Sequence, residues 1–178
     1  MSTKFNDMLT DQIGNEFAAS QQYIAVAVWY DGKDLPQLAK HFYRQSLEER
    51  NHAMMMVRYM LDRGIRASIP GVKAVRNDFE SAEDPLVLAL EQELEVTERI
   101  KELFALARAE DDPLGEQFML WFLKEQVEEV ASMSTLLNVA RRASNLFDVE
   151  TFLARESVGD SGQSGGSGGT PEAAGGAL

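Results

Sequence analysis

Apolar residues recur along most of the chain at alternating steps of three and four positions, the spacing that places them on one face of an α-helix. This spacing covers four long segments and one short segment, at about residues 4–30, 35–63, 83–110, 114–143 and 146–156. No segment shows the strict alternation typical of a half-buried strand. The pattern therefore predicts an all-α protein with four long helices and a short fifth helix.

The segment between the second and third helices indicates how the helices are connected. Residues 64–82 carry helix breakers at Gly64 and Pro70-Gly71 and have no long apolar period. About 18 extended residues reach some 60 Å, whereas a helix of about 28 residues is only roughly 42 Å long. We therefore expect a four-helix bundle with a long crossover between helices two and three.

Local signals predict where some of these helices begin and end. Asp34 is expected to cap the second helix just before Pro36, a residue tolerated in the first turn. Gly64 follows Arg63 and is expected to end that helix. Asn145 is expected to cap the fifth helix.

Charged residues interrupt each of the four apolar stripes near the middle of its helix. The second helix carries Glu49 and His52, which lie about 60° apart on one face. Glu16, Glu93 and Glu129 take the corresponding positions on the first, third and fourth helices. Because the middles of antiparallel helices meet at one level, the sequence predicts a buried carboxylate layer with one imidazole beside it.

Four carboxylates at one level repel one another and destabilise the fold unless something neutralises them. A single buried Glu is most often paired with Arg or hydrogen-bonded to Tyr, but no Lys or Arg occupies a stripe position at this level. Two bridged metal ions resolve the repulsion. The chain contains no cysteine, so the ligands are oxygen and imidazole, a set that suits iron or manganese better than zinc.

The length and the net charge of the chain exclude several other classes of protein. The chain has 178 residues, 17 basic and 29 acidic side chains and a formal charge of −12, which argues against a nucleic-acid partner. No apolar run approaches the length of a membrane span, so we expect a cytoplasmic protein with no membrane partner. One domain is expected over residues 1–158, followed by a flexible Gly/Ser-rich tail over residues 159–178.

The chain resembles a bacterial non-haem ferritin of the ferritin-like superfamily. The resemblance covers about residues 4–156 and depends on motifs in all four long helices. These motifs are Asn15-Glu16 with Tyr23 seven residues later, the run Glu48-Glu49-Arg50-Asn51-His52-Ala53, Glu93, and the run from Trp121 to Glu129. Residues 35–42 also look similar to actinobacterial members.

The resemblance implies an intrasubunit di-iron ferroxidase centre. The first iron ion would be bound by Glu16, Glu49 and His52. The second would be bound by Glu49, Glu93 and Glu129, so that Glu49 bridges the pair. Each of these residues occupies the matching position of this sequence.

Further positions match residues that lie near this centre in the family. Gln126 and Tyr23 would lie beside the two iron ions without binding them. A third, weaker iron site is implied at Glu48, Glu125, Glu128 and Glu129. The alternative for Glu48, Glu125 and Glu128 is that they are simply solvated acids.

The implied function is iron storage and detoxification. As a ferroxidase, the protein would oxidise Fe(II) with O₂ or H₂O₂ and keep Fe(III) as a hydrated oxide mineral inside a homo-oligomeric cage of twenty-four subunits. Haem is not expected, because bacterioferritins carry a haem-ligating Met where this chain has Arg50. They also carry a second Glu-x-x-His where this chain has Gln126 and Glu129.

Three alternatives remain open from the sequence. The first is a bacterioferritin-like storage protein that contains haem. The second is a di-iron oxygenase or peroxide scavenger, which needs an open substrate pocket and a reductase partner. The third is a structural bundle in which the metal only holds the helices together.

Overall fold

The computed structural model describes residues 3–156 and 169–178. The described residues form five α-helices and no strand: α1 (Lys4–Asp31), α2 (Pro36–Asp62), α3 (Asp84–Ala109), α4 (Pro113–Arg142) and α5 (Leu146–Arg155). Short turns join α1 to α2 and α3 to α4, so each pair forms an antiparallel hairpin. The predicted all-α bundle with a short fifth helix is confirmed. No helix in the described ranges is long and apolar enough to cross a membrane.

The ends of several helices follow the predicted capping signals. Gly64, with φ of 67°, ends α2 in a left-handed conformation, and the N–H of Ile65 donates to the carbonyl of Met60 at 2.9 Å. Asn145 accepts a hydrogen bond from the backbone N–H of Asp148 at 3.2 Å and so caps α5.

The predicted cap of α2 by Asp34 is wrong. Asp34 has φ of 58° and belongs to the turn, and α2 begins after Leu35 without a side-chain cap from either residue. Instead, the carboxylate of Glu150 on α5 accepts hydrogen bonds from the backbone N–H groups of Gln37 at 2.8 Å and Leu38 at 2.9 Å. A negative charge at this end also complements the helix dipole. The fifth helix is thereby attached to the start of α2.

The crossover between α2 and α3 runs along α1 and is fixed to it at two points. Pro70 packs so closely on Gly14 that a Cβ there would lie 3.0 Å from the ring. Further along, the Gln22 side chain forms two hydrogen bonds of 2.8 Å with the backbone N–H and carbonyl of Arg76. These contacts confirm the predicted long connection.

Two apolar clusters fill the bundle, one on each side of the predicted polar layer. On every long helix, the residues of one cluster precede the charged position and those of the other follow it. The larger members of one cluster are Tyr23, Tyr30, Phe42, Leu86 and Leu136, and those of the other are Phe5, Ile13, Met56, Ile100 and Phe122. Burial of these side chains supplies most of the stability of the bundle.

The last ten residues lie against α2. The N–H of Ala174 donates to the carbonyl of Met54 at 3.0 Å, and Asn51 and Leu178 exchange hydrogen bonds of 3.3 and 3.1 Å. Residues 159–168 of the expected flexible tail lie outside the described residues. The division into a domain over 1–158 and a tail over 159–178 stays a prediction.

Candidate metal centre

Five predicted ligand side chains lie together in the middle of the bundle. Glu16, Glu49 and Glu93 are each 1% exposed, His52 is 2% exposed and Glu129 is 4% exposed. They come from all four long helices, because each occupies the inward-facing stripe of its own helix at the same level. The structure therefore places four carboxylates and one imidazole where a hydrophobic core would otherwise continue.

Three of these residues lie close enough together to hold a metal ion. Glu16, Glu49 and His52 each offer a ligand atom, and the three atoms lie within 4.8 Å of one another. The Nδ1 atom of His52 is 3.5 Å from Oε2 of Glu49. Within the described residues, Oε2 of Glu16 and Oε1 of Glu49 are buried without a hydrogen-bond donor. Since buried carboxylate oxygens without partners are costly, a bound cation is the natural partner for this pair.

The other oxygen of Glu16 is held by a residue that the sequence analysis did not identify. Gln12, buried one turn earlier on α1, donates from Nε2 to Oε1 of Glu16 at 2.8 Å. Asn15 donates in turn to Oε1 of Gln12 at 3.0 Å, which fixes the orientation of the amide. The signal was present, because a glutamine four residues before a buried Glu shares its helix face.

Replacing Gln12 by Met is expected to weaken the binding of a divalent metal ion to this group about tenfold, which corresponds to the loss of one hydrogen bond. Met preserves the length of the side chain but leaves Glu16 free to rotate. Calorimetric titration of the metal-free protein with Zn²⁺ measures the affinity. Gln21→Met, on an exposed position of α1, is the matched control. An unchanged affinity in Gln12→Met would show that Gln12 does not position Glu16.

Both oxygens of Glu93 also have donors. The hydroxyl of Tyr23 donates to Oε1 of Glu93 in a short hydrogen bond, and Nε2 of Gln126 lies 3.4 Å from Oε2. The hydroxyl of Thr97 donates to Oε1 of Gln126 at 2.8 Å and so orients that amide. Tyr23 and Gln126 thus contact the centre through Glu93, and Thr97 is a further residue that the sequence analysis missed.

The fourth carboxylate, Glu129, is connected to a neighbouring acidic residue. The buried amide of Gln45 donates to Oε2 of Glu129 at 3.1 Å and to Oε2 of Glu48 at 3.2 Å. Of the residues expected at a third iron site, the structure brings Glu48 and Glu125 together, and Glu128 is exposed. The same amide therefore contacts both the centre and the acidic residues next to it.

Burial and mutual repulsion set the protonation of these groups. Burial raises the pKa of Glu16, Glu49 and Glu129, and for Glu49 the charges of Glu93 and Glu16 add to the effect. For Glu93, burial raises the pKa to about 7 even though Tyr23 donates to it. The contact between Glu49 and His52 brings no positive charge to these carboxylates, because burial keeps the imidazole neutral at this pH. Without a cation, Glu93 is therefore partly protonated at neutral pH.

The imidazole behaves in the opposite way. Burial lowers the pKa of His52 to about 4, because the charged form is disfavoured away from water. His52 is therefore neutral at physiological pH, which is the form that binds metals. The group combines one neutral nitrogen donor with several oxygen donors, a set that suits iron.

Comparison with known proteins also indicates a ferritin. A ferritin-like domain profile matches residues 6–143. The chain is 59% identical over 179 residues to Ferritin BfrB of Mycolicibacterium smegmatis, covering 100% of this chain and 97% of that protein. It is 36% identical over 142 residues to the bacterial non-heme ferritin of Staphylococcus aureus strain MRSA252, covering 80% of this chain and 86% of that protein.

A solved structure shows the same architecture. The open pore ferritin from the archaeon Archaeoglobus fulgidus superposes with a TM-score of 0.83 at 28% sequence identity. The superposition covers 87% of this chain and 96% of the archaeal chain. The bundle and its short fifth helix are thus shared with a protein whose sequence is much less similar than that of the mycobacterial relative.

Proposed function

The chain belongs to the ferritin family of iron-storage proteins, and from this we propose that it is a ferroxidase, which oxidises Fe(II) and stores the Fe(III) as a hydrated oxide mineral. The main support for the proposal is the buried group of Glu16, Glu49 and His52, whose ligand atoms lie within 4.8 Å of one another. Two carboxylate oxygens of this group have no hydrogen-bond donor within the described residues. Iron is the substrate and the stored cargo.

Two Fe(II) ions are bound by the five ligand residues. Glu16, Glu49 and His52 bind the first ion, and Glu49, Glu93 and Glu129 bind the second. The bridging role of Glu49 is supported by its position, because the carboxylates of Glu93 and Glu16 both act on it to raise its pKa. Tyr23 and Gln126 hold Glu93 in place through their hydrogen bonds.

The paired ions suit a two-electron oxidation. Each Fe(II) loses one electron, and one O₂ accepts both electrons with two protons to give H₂O₂. H₂O₂ as the oxidant accepts two electrons and two protons to give water. The protonated carboxylates of the centre release protons when the cations bind. The chain thus supplies both the cation site and nearby protons in a region from which water is excluded.

The proposal also covers the assembly of the subunits and the absence of haem. We propose that the subunits assemble into a hollow 24-subunit cage in the cytoplasm, whose interior holds the mineral, and membership of the ferritin family supports this assembly. The proposal includes no haem. Arg50 follows Glu49 at the position of the haem-ligating Met, and its guanidinium lies 3.4 Å from the side chain of Asn51, so no thioether is available there.

Sizing the protein while it takes up Fe(II) under air tests this function. We expect rapid oxidation and a soluble ferric product that elutes with a very large assembly. A small oligomer that leaves the iron to precipitate would contradict the proposal. Oxidation that requires an organic substrate or a reductase would instead support the oxygenase alternative.

A further inference from the structure

A row of aromatic rings connects the metal centre to the rim of the bundle. The imidazole of His52 contacts the ring of Phe122 edge-on, with centroids 5.5 Å apart. Phe122 contacts Phe118 edge-on at 5.2 Å, and Phe118 stacks on Tyr59 at 4.1 Å with 8° between the ring planes. These separations are those of rings in direct contact. The row therefore runs without interruption from a proposed iron ligand to a phenol.

The spacing of residues along α2 and α4 produces this row. On α2, Tyr59 lies two turns after His52 and shares its helix face. On α4, Phe118 and Phe122 are one turn apart and also share a face. His52 and Phe122 are buried, whereas Tyr59 and Phe118 are only half-buried. The rings thus lead from the interior towards solvent along the seam between the two helices.

The surroundings of Tyr59 suit a phenol that gives up an electron and a proton. Burial raises the pKa of Tyr59, so the hydroxyl carries its proton at neutral pH. Nη1 of Arg63 donates both to this hydroxyl and to Oδ2 of Asp112, which places a carboxylate next to the phenol. A cavity of about 520 Å³, lined in part by Tyr59, Phe118 and Trp121, lies beside the ring. Small molecules can therefore reach the outer end of the row.

Tyr23, which also contacts the centre, leads in a different direction. Its ring contacts Phe42 at 5.5 Å, and Phe42 stacks on Tyr30 at 5.7 Å. Tyr23, Phe42 and Tyr30 are each 0% exposed, so this second set of rings ends inside the core. A radical on Tyr23 would be shielded from soluble reductants, whereas one on Tyr59 would be accessible to them.

A centre that holds a single Fe(II) ion needs an additional electron when H₂O₂ is the oxidant. Reduction of H₂O₂ to water takes two electrons, and one Fe(II) supplies only one. Reduction by that electron alone gives hydroxide and a free hydroxyl radical, which attacks the protein. A second electron from a nearby side chain completes the reduction to water.

We propose that Tyr59 is the one-electron donor to a half-filled iron centre, connected to it through Phe118, Phe122 and His52. The inference rests on the proposed ferroxidase function. Fe(II) loses one electron, and Tyr59 loses one electron and its phenolic proton. H₂O₂ accepts both electrons with two protons, one of them from solvent, and gives two molecules of water. The products on the protein are Fe(III) and a tyrosyl radical, which a soluble reductant such as ascorbate restores to the phenol.

Freeze-quench electron paramagnetic resonance tests this donor. The iron-free assembled protein receives one Fe(II) per subunit without O₂ and is then mixed with H₂O₂. We expect a radical signal that narrows when the tyrosine rings are deuterated and that is lost in Tyr59→Phe. Tyr43→Phe, which changes an exposed tyrosine of the same helix, should retain it. Phe118→Leu should weaken the signal, because it removes the stacked ring and leaves Tyr59 in place.

Several results overturn the proposal. One is the absence of a radical in the unmodified protein, and another is a signal that persists in Tyr59→Phe. A signal unchanged by tyrosine deuteration belongs instead to a residue such as Trp121, whose ring also contacts His52 at 5.9 Å. Full signal in Phe118→Leu excludes the path through the stacked rings.

Spin trapping of hydroxyl radical gives an independent readout. Under the same conditions Tyr59→Phe is expected to release several-fold more hydroxyl radical than the unmodified protein, whereas Tyr43→Phe should match it. Equal release from the two variants contradicts the proposal. Oxidation of two Fe(II) per subunit by O₂, measured on the unmodified protein, reads the ferroxidase separately. Normal oxidation without a Tyr59 radical would remove the electron donor and leave the ferroxidase.

Discussion

Replacing Glu49 by Gln is expected to slow the initial oxidation of Fe(II) on the order of 10²-fold or more. In the proposed mechanism Glu49 is the one residue assigned to both iron ions, and its carboxylate would be the anion between them. An amide has the same shape but carries no negative charge and cannot bridge two cations in the same way. The variant therefore loses the close pair of ions on which the two-electron reduction of O₂ depends.

Assembly of the Glu49→Gln variant is expected to be normal. The apolar clusters on both sides of the centre remain intact, and removal of one buried carboxylate relieves repulsion with Glu16 and Glu93. Light scattering reports the assembly, and stopped-flow absorbance reports the rate. Glu91→Gln, an exposed position on α3, is the control. A variant that fails to fold would support a purely structural metal, and one with the parental rate would exclude Glu49 from the reaction.

The second large effect concerns the pH dependence of stability in the iron-free protein. The pKa of Glu93 rises from an ordinary value of 4.5 to about 7 on folding because the side chain is buried. A group with a raised pKa contributes its stability fully below the unfolded value and loses it as the pH rises through the folded value. For Glu93 the loss occurs between pH 4.5 and about pH 7. Over this range the free energy of unfolding falls by about 3 kcal/mol.

Calorimetric melting of the iron-free protein at a series of pH values measures this loss. We expect the melting temperature of Glu93→Gln to fall less steeply between pH 5 and pH 8 than that of the parent, with a difference of several degrees. The amide oxygen still accepts the hydrogen bond of Tyr23, but the amide nitrogen cannot accept the bond from Gln126. The charge of Glu93 is therefore read from the slope against pH and not from the melting temperature at one pH. Excess Zn²⁺ should remove most of the fall in the parent. Equal slopes for the two proteins would mean that Glu93 titrates normally.

The helices and the level of the polar layer were predictable because both depend on periodicity. Glu16, Glu93 and Glu129 stand out in the sequence since each replaces an apolar residue in a regular stripe. Burial among two apolar clusters is the direct consequence of that spacing. The end of α2 at Gly64 was predictable for a different reason, because a glycine readily adopts the left-handed conformation that ends a helix.

Apart from Gln12, whose contact with Glu16 is local, the residues that the sequence analysis missed depend on contacts between distant segments. The cap of α2 comes from Glu150, more than one hundred residues later in the chain, so no local rule could identify it in place of Asp34. Thr97 orients Gln126 from a neighbouring helix at a distance that periodicity does not predict. The approach of Glu48 on α2 to Glu125 on α4 likewise depends on how the two helices are placed in the bundle.

The division of ligands between the two hairpins has a consequence for the order of folding. Glu16, Glu49 and His52 all come from the α1–α2 hairpin, whereas Glu93 and Glu129 come from α3 and α4. A hairpin of adjacent helices forms early, because its contacts are local. We therefore expect a nascent chain to bring Glu16, Glu49 and His52 together before the second hairpin docks. At the proposed di-iron centre, closure of the bundle would then convert a mononuclear site into a dinuclear one, so that pairing of the metals would report a complete tertiary fold.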